Sequence, residues 1–241
     1  KRREKVILAG KTYDAVWLLA KYISLTLQDF ENIQYLTFTT PETDVDMAKM
    51  LKGIGQHIGV DKEIISVQDY KESFCQYMIF QPKELWQYES ALFYCDEERI
   101  KAYMLRRLRV DASHGMNSFV TVDEVANAQR KELEALYPIM NKEKSPDESF
   151  KSMIENVFEK KVISSVYLTG EGFEKNWYPN SLRVLCNGRR AFMGNNLYSK
   201  GACYKSIRKC ESNDDGPIYL DETKLTERIC LRMRVDGQEG W

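Results

Sequence analysis

Hydrophobic positions along the chain switch between a period of two and a period near 3.6, which predicts alternating strands and helices. Residues 162–168 form an apolar, β-branched run that reads as a buried strand. It breaks at Thr169-Gly170-Glu171-Gly172-Phe173, a glycine-flanked turn. In α/β sheets the loop leaving a strand's carboxyl end is where ligands usually bind. Upstream, Val16, Leu19, Ala20, Ile23 and Leu27 keep a helical period behind caps offered by Thr12 and Asp14. Residues 33–39 read as a strand, 45–58 as a helix stopped at Gly59, 64–67 as a strand and 71–80 as a helix. Layered α/β packing with right-handed crossovers follows from that order.

Beyond Pro82 the pattern changes. Residues 90–95 and 100–105 are strand-like, and Asp96-Glu97-Glu98-Arg99 between them is short enough for an antiparallel hairpin. Residues 117–122 extend the sheet, and 123–136 read as a surface helix. Ser145-Pro146-Asp147-Glu148 is a capping box with proline at the first helical position. It launches a helix over 148–160 that turns Phe150, Ile154, Val157 and Phe158 inward. Residues 195–203 read as a capped helix with a close-packing Gly201-Ala202 pair. Residues 211–217 are a loop, and 218–220 and 228–235 supply one or two further strands.

Composition narrows this picture. A chain of 241 residues with 43% hydrophobic and 29% charged positions can bury a sizeable core without disulfides or metals. A net charge of -1 predicts no global attraction to nucleic acid or anionic membranes. No apolar run reaches the roughly 18 residues of a membrane span. The six cysteines lack any metal-ligand spacing and read as small buried hydrophobes in a reducing cytoplasm, with no disulfide. His57 and His114 are widely separated, so neither a metal site nor a Ser/His/Asp triad is supported. The opening Lys1-Arg2-Arg3-Glu4-Lys5 has no initiator Met, which predicts a piece of a longer protein.

In order and spacing, residues 8–205 resemble the actin-like ATPase superfamily of actin, sugar kinases and DnaK-type chaperones. The helix before Tyr35-Leu36-Thr37-Phe38-Thr39-Thr40-Pro41 is similar to one leading to a Thr-Val-Pro-Ala turn. His57-Ile58-Gly59-Val60 and Asp69-Tyr70-Lys71-Glu72-Ser73-Phe74-Cys75 resemble a Gly-Leu segment and an Asn-Glu-Pro-Thr-Ala-Ala helix start. Asp96 to Ile100 occupies the place of a phosphate-binding Asp-x-Gly-x-Thr hairpin. Gly170-Glu171-Gly172 looks like the adenosine motif, and the helix around Gly201 like its partner helix. The chain is also similar to an uncharacterised family of anaerobic Gram-positive bacteria carrying the Tyr167–Phe173 and Gly188–Tyr198 wording.

The resemblance implies an actin-like, two-lobed fold built from ribonuclease-H-like units, as a partial chain. Residues 1–86 would end a first lobe, 87–185 form a second, and 186–241 carry a return helix and C-terminal strands. Gly170, Glu171, Gly172, Asp96 and Gly201 would line the cofactor site, with an adenine nucleotide or nucleoside as ligand, a protein as further partner, and Mg²⁺ held by Asp96 through water.

The departures weigh against phosphate chemistry. Glu98 stands where the phosphate loop needs glycine and Ile100 where it needs threonine, which places two glutamates against a polyanion. The reading is therefore a degenerate module that binds or scaffolds, with weak or absent ATP hydrolysis; the alternative is a working ATPase of the chaperone or filament class. Several features keep two readings each. Gly170–Gly172 cradles a nucleoside or is an inherited turn, and Asp96 holds metal or caps its hairpin. Arg189, Arg190, Lys200, Lys205 and Arg208 meet a phosphate or an acidic partner, or form a solvated face. Trp177 and Tyr178 stack on a base or anchor the core.

Overall fold

The computed structural model describes residues 5–30, 32–108, 118–129, 145–211, 216–221, 233–235 and 238–240. His114, Cys230, residues 130–136 of the expected surface helix and the centre of the 211–217 loop lie outside them. The chain opens on an antiparallel hairpin, β1 (Lys5–Leu8) and β2 (Lys11–Asp14). The Asp14 carboxylate then accepts the N–H groups of Val16 and Trp17 at 2.9 and 3.1 Å and starts α1 (Ala15–Thr26). β3 (Leu36–Thr40) and β4 (Ile65–Asp69) pair in parallel across the crossover helix α2 (Val45–His57). Ala20 of α1 and Leu51 and Ile54 of α2 are buried with Phe38 and Val67 packed against them. The periodicity of the first 69 residues is thus realised as a small layered unit. Helix α3 (Tyr70–Ile79), capped by Asp69, follows without a linker.

Six of the remaining strands build one mixed sheet, in the order β10 (Ile218–Tyr219), β7 (Phe119–Gln129), β6 (Arg99–Leu108), β5 (Glu89–Cys95), β8 (Ile163–Thr169), β9 (Arg190–Met193). β5 (Glu89–Cys95), β6 (Arg99–Leu108) and β7 (Phe119–Gln129) form an antiparallel meander. β8 (Ile163–Thr169) adds in parallel to β5, and β9 (Arg190–Met193) in parallel to β8. The helices between them are α4 (Pro146–Phe158), α5 (Pro179–Cys186) and α6 (Leu197–Cys210). The two-residue β10 (Ile218–Tyr219) pairs in parallel with β7. Met233–Val235 and Gln238–Gly240 form a separate hairpin.

The run expected as a buried strand is interior, flanked by β5 and β9. Side chains alternate across the sheet, as the pleat requires. Ala91, Phe93, Val166 and Leu168 face Phe150 and Ile154 of α4 and Leu185 of α5. Leu92, Tyr103, Leu105 and Tyr167 face Phe74 and Met78 of α3 and Leu197 of α6. The result is a helix–sheet–helix sandwich. Each fully buried aromatic or aliphatic side chain here contributes about 1.5–3 kcal/mol. The capping box at Ser145 forms as expected, with both reciprocal hydrogen bonds present.

Four expectations need correction. Residues 123–129 are strand and not helix, because β7 pairs with β6 along its whole length and that pairing outweighs their polar composition. The helix expected from Asn195 begins at Leu197, and Asn196 makes no side-chain cap. α5 and β9 form where no element was expected. Among the five described cysteines only Cys75 and Cys95 are buried, while Cys186, Cys203 and Cys210 are exposed.

Candidate functional site

The carboxyl ends of β5 and β8 lie side by side, and the turns that leave them open a cleft of about 500 Å³. Its wall is built by Asp96, Glu97 and Glu98 after β5, by Gly170, Glu171 and Glu174 after β8, and by Asn195. Three tyrosines close the inner side. Tyr70 at the start of α3 stacks on Tyr198 of α6 at 3.8 Å between centroids and 7° between planes. Tyr94 of β5 meets the Tyr70 ring edge-on at 6.2 Å.

Each of the expected residues has a definite place. Asp96 caps its own hairpin, its Oδ1 accepting the N–H groups of Glu98 and Arg99 at 2.7 Å each. Gly170 adopts a φ of +103°, in the region L side chains rarely occupy, and a Cβ there would stand 2.1 Å from the Cys95 carbonyl oxygen. A Cβ on Gly172 would stand 2.2 Å from the Cys95 sulfur. These two glycines therefore let the β8 exit lie directly on the end of β5. Glu171 lines the cleft beside them. Gly201 does not reach the cleft. It sits one turn further along α6, where a Cβ would come 1.9 Å from the Ser73 carbonyl oxygen, and so sets the α3–α6 crossing.

The side chains that shape the cleft most were not singled out from the sequence. Asn195 fastens the turn that leaves β8 at both its ends: its Oδ1 accepts the Gly170 N–H at 3.0 Å and its Nδ2 donates to Glu174 at 3.2 Å. The double Asn before an apolar run read as a helix cap, so this long-range role carried no local signal. The Tyr198 hydroxyl is buried with no hydrogen-bond partner among the described residues. Burial, with the Tyr103, Tyr70 and Tyr94 hydroxyls nearby, pushes its pKa well up. Burial, then the neighbouring Asp96 carboxylate, pushes Tyr94 up to about 12. The tyrosine wall therefore stays neutral through the physiological range, and the carboxylates alone set the charge.

The remaining candidates resolve as follows. Trp177 and Tyr178 are core anchors: the indole donates to the Gly172 carbonyl at 2.8 Å and the Tyr178 hydroxyl to the Phe173 carbonyl at 3.2 Å. The basic run divides. Arg189 turns inward over the Phe158 ring at 4.6 Å and donates to the Val184 carbonyl, whereas Lys205 and Arg208 reach α3. Among the described residues no group of three or more His, Cys, Asp or Glu side chains is placed to hold a metal ion. No helix among them is long and apolar enough to cross a membrane.

Fold and site together define an α/β protein with a mixed six-stranded sheet and an acidic, tyrosine-walled cleft at its parallel strand ends. Residues 1–222 match the family of unknown function DUF5716, C-terminal, and the chain belongs to that family. No curated protein matches the chain.

Proposed function

We propose that the protein is a degenerate actin-like module that binds a neutral or cationic small ligand in the acidic cleft and does not hydrolyse ATP. The order of elements supports the kinship: a three-stranded meander with two parallel strands added to its first strand suits a ribonuclease-H-like lobe. α1, β3, α2, β4 and α3 suit the end of a preceding one. Gly201 of the expected partner helix packs on Ser73 of the segment that resembles the Asn-Glu-Pro-Thr-Ala-Ala start, so the two segments that the resemblance pairs with one family site are in contact.

The observation that carries the functional reading is the charge of the cleft. Asp96, Glu97, Glu98, Glu171 and Glu174 line it, and among the described residues no lysine or arginine does. A like-charge contact near 4 Å costs about 1 kcal/mol in bulk water and about 4 kcal/mol at an effective dielectric of 20. A triphosphate would meet several such contacts, and a neutral or cationic group none.

The test is ligand-induced melting shift on the full-length protein, with adenosine as the neutral probe and ATP-Mg²⁺ as the polyanionic one. Adenosine should stabilise at least as well as ATP-Mg²⁺, and hydrolysis should stay at background. Glu97→Ser with Glu98→Gly should raise ATP-Mg²⁺ affinity by about 1–3 kcal/mol. Strong stabilisation of the wild type by ATP-Mg²⁺ but not by adenosine would put a working ATPase in place of this reading.

A further inference from the structure

A second cleft, of about 630 Å³, opens along the same two helices, between the carboxyl half of α6 and the β4–α2 unit. Its charge is the reverse of the first. Among the described residues, Lys52 of α2, Lys62 of the following turn, and Lys205, Arg208 and Lys209 of α6 line it, against two carboxylates, Glu63 and Glu72. Two of these cations are held in place. Glu72 and Gln76, one turn apart on α3 and each only 6% exposed, accept from Lys205 at 2.7 Å and from Arg208 Nη1 at 3.0 Å. Fixing long side chains before a ligand arrives removes part of the ordering cost of binding. Lys52, Lys62 and Lys209 make no ion pair among the described residues.

We propose that this cleft binds a small organic molecule carrying two or more phosphate groups. Five cations contributed by three segments match an anion whose charge is spread over several groups better than a single carboxylate. The cleft size lies within the range of small-molecule sites, roughly 300–1,000 Å³. Tyr35, Ile65, Val67 and Pro217 give it apolar wall for the uncharged part of the ligand. The Ser66 hydroxyl, hydrogen-bonded to Thr37 at 2.8 Å, adds a neutral polar group on the β4 side. Binding here uses none of the residues of the acidic cleft and stands whether or not that cleft takes a ligand.

The experiment is calorimetric titration of the full-length protein with pyrophosphate and, separately, with inorganic phosphate. Pyrophosphate should bind at least tenfold more tightly than phosphate, and its affinity should fall as salt rises. Lys62→Glu with Lys209→Glu, both exposed positions, should weaken pyrophosphate more than tenfold while leaving the far-ultraviolet circular dichroism and melting temperature unchanged. The Glu97→Ser, Glu98→Gly variant should leave pyrophosphate affinity within twofold. The absence of pyrophosphate binding, equal affinity for the two anions, equal binding by the lysine variant, or a large change in the glutamate variant would each overturn the proposal.

Discussion

Two clefts flank one pair of helices, and they carry opposite charge. The acidic one gathers five carboxylates from two turns at strand ends, and the basic one five cations from α2, the turn after it and α6. A net charge of -1 describes neither. Net charge governs solubility and long-range association, whereas a ligand meets the local field of the cleft it enters. The partition between the clefts is the α3–α6 crossing: Tyr70 and Tyr198 look to the acidic side, and Glu72, Gln76, Lys205 and Arg208 to the basic one.

The comparison breaks most severely if that partition is forced apart. Gly201→Ala would set a Cβ 1.9 Å from the Ser73 carbonyl oxygen, and rigid backbone on both helices leaves no side chain to yield. We expect a loss of about 3 kcal/mol, from overpacking at a site that cannot relax. Thermal denaturation should register it as a clear fall in melting temperature, and ligand responses in both clefts should weaken together. Gly53→Ala, in α2 with nothing within 4 Å of the added Cβ, is the matched control. It should stabilise by about 0.5–1 kcal/mol through helix propensity. A Gly201→Ala protein as stable as wild type would dismiss the crossing as the partition.

A second substitution separates stability from both clefts. Asp147, in the first turn of α4, caps a different helix: its carboxylate accepts the N–H groups of Asn180 and Ser181 at 2.8 Å each and the Ser181 hydroxyl at 2.6 Å. Burial works to raise its pKa, but these hydrogen bonds outweigh burial and hold the carboxyl below its usual range. Its contribution is therefore present above the unfolded-chain value of about 3.9 and is lost as pH falls through the lower native value. Asp147→Ala should cost about 2–3 kcal/mol at neutral pH, and that difference should shrink in acid denaturation below about pH 4. Responses in both clefts should persist. A pH-independent difference would mean that packing and not the charged cap carries the effect.

How much of this was legible in the sequence follows the range of the interactions. The acidic rim was readable because Asp96, Glu97 and Glu98 are consecutive and sit in a hairpin turn that composition alone marks. The strands and helices with their own period and caps, such as α1, α2 and α4, formed close to where they were expected. The basic cleft was not readable. Lys52 and Lys62 lie more than 140 residues from Lys205, Arg208 and Lys209, and only the return of α6 across α3 brings them together. The run after Val122 misled for a related reason: Asp123-Glu124-Val125-Ala126 favours helix locally, and ten-residue pairing with β6 overrides it. Asp147 read only as part of the capping box of its own helix, and its role in starting α5 depends on a contact 33 residues away.

The smallest effect tests whether the basic cleft is set by its charge balance. Glu72 is one of two carboxylates lining it among the described residues, and it holds Lys205 at 2.7 Å with both side chains largely out of solvent. Glu72→Gln keeps an oxygen to accept from Lys205 and removes the negative charge. Stability should fall by about 1–2 kcal/mol, because a mostly buried cation loses its counter-charge but not its hydrogen bond. The field facing an incoming anion should rise by one unit of charge. Several ångströms away in a partly hydrated cleft that is worth about 1 kcal/mol, or roughly fivefold in affinity. Pyrophosphate should therefore bind more tightly to a less stable protein, while the adenosine response of the acidic cleft stays where it was. Calorimetry on the folded variant at 20 °C separates the two quantities. Weaker pyrophosphate binding by a variant that is still folded would mean that Glu72 matters by positioning Lys205, and that positioning outweighs charge in this cleft.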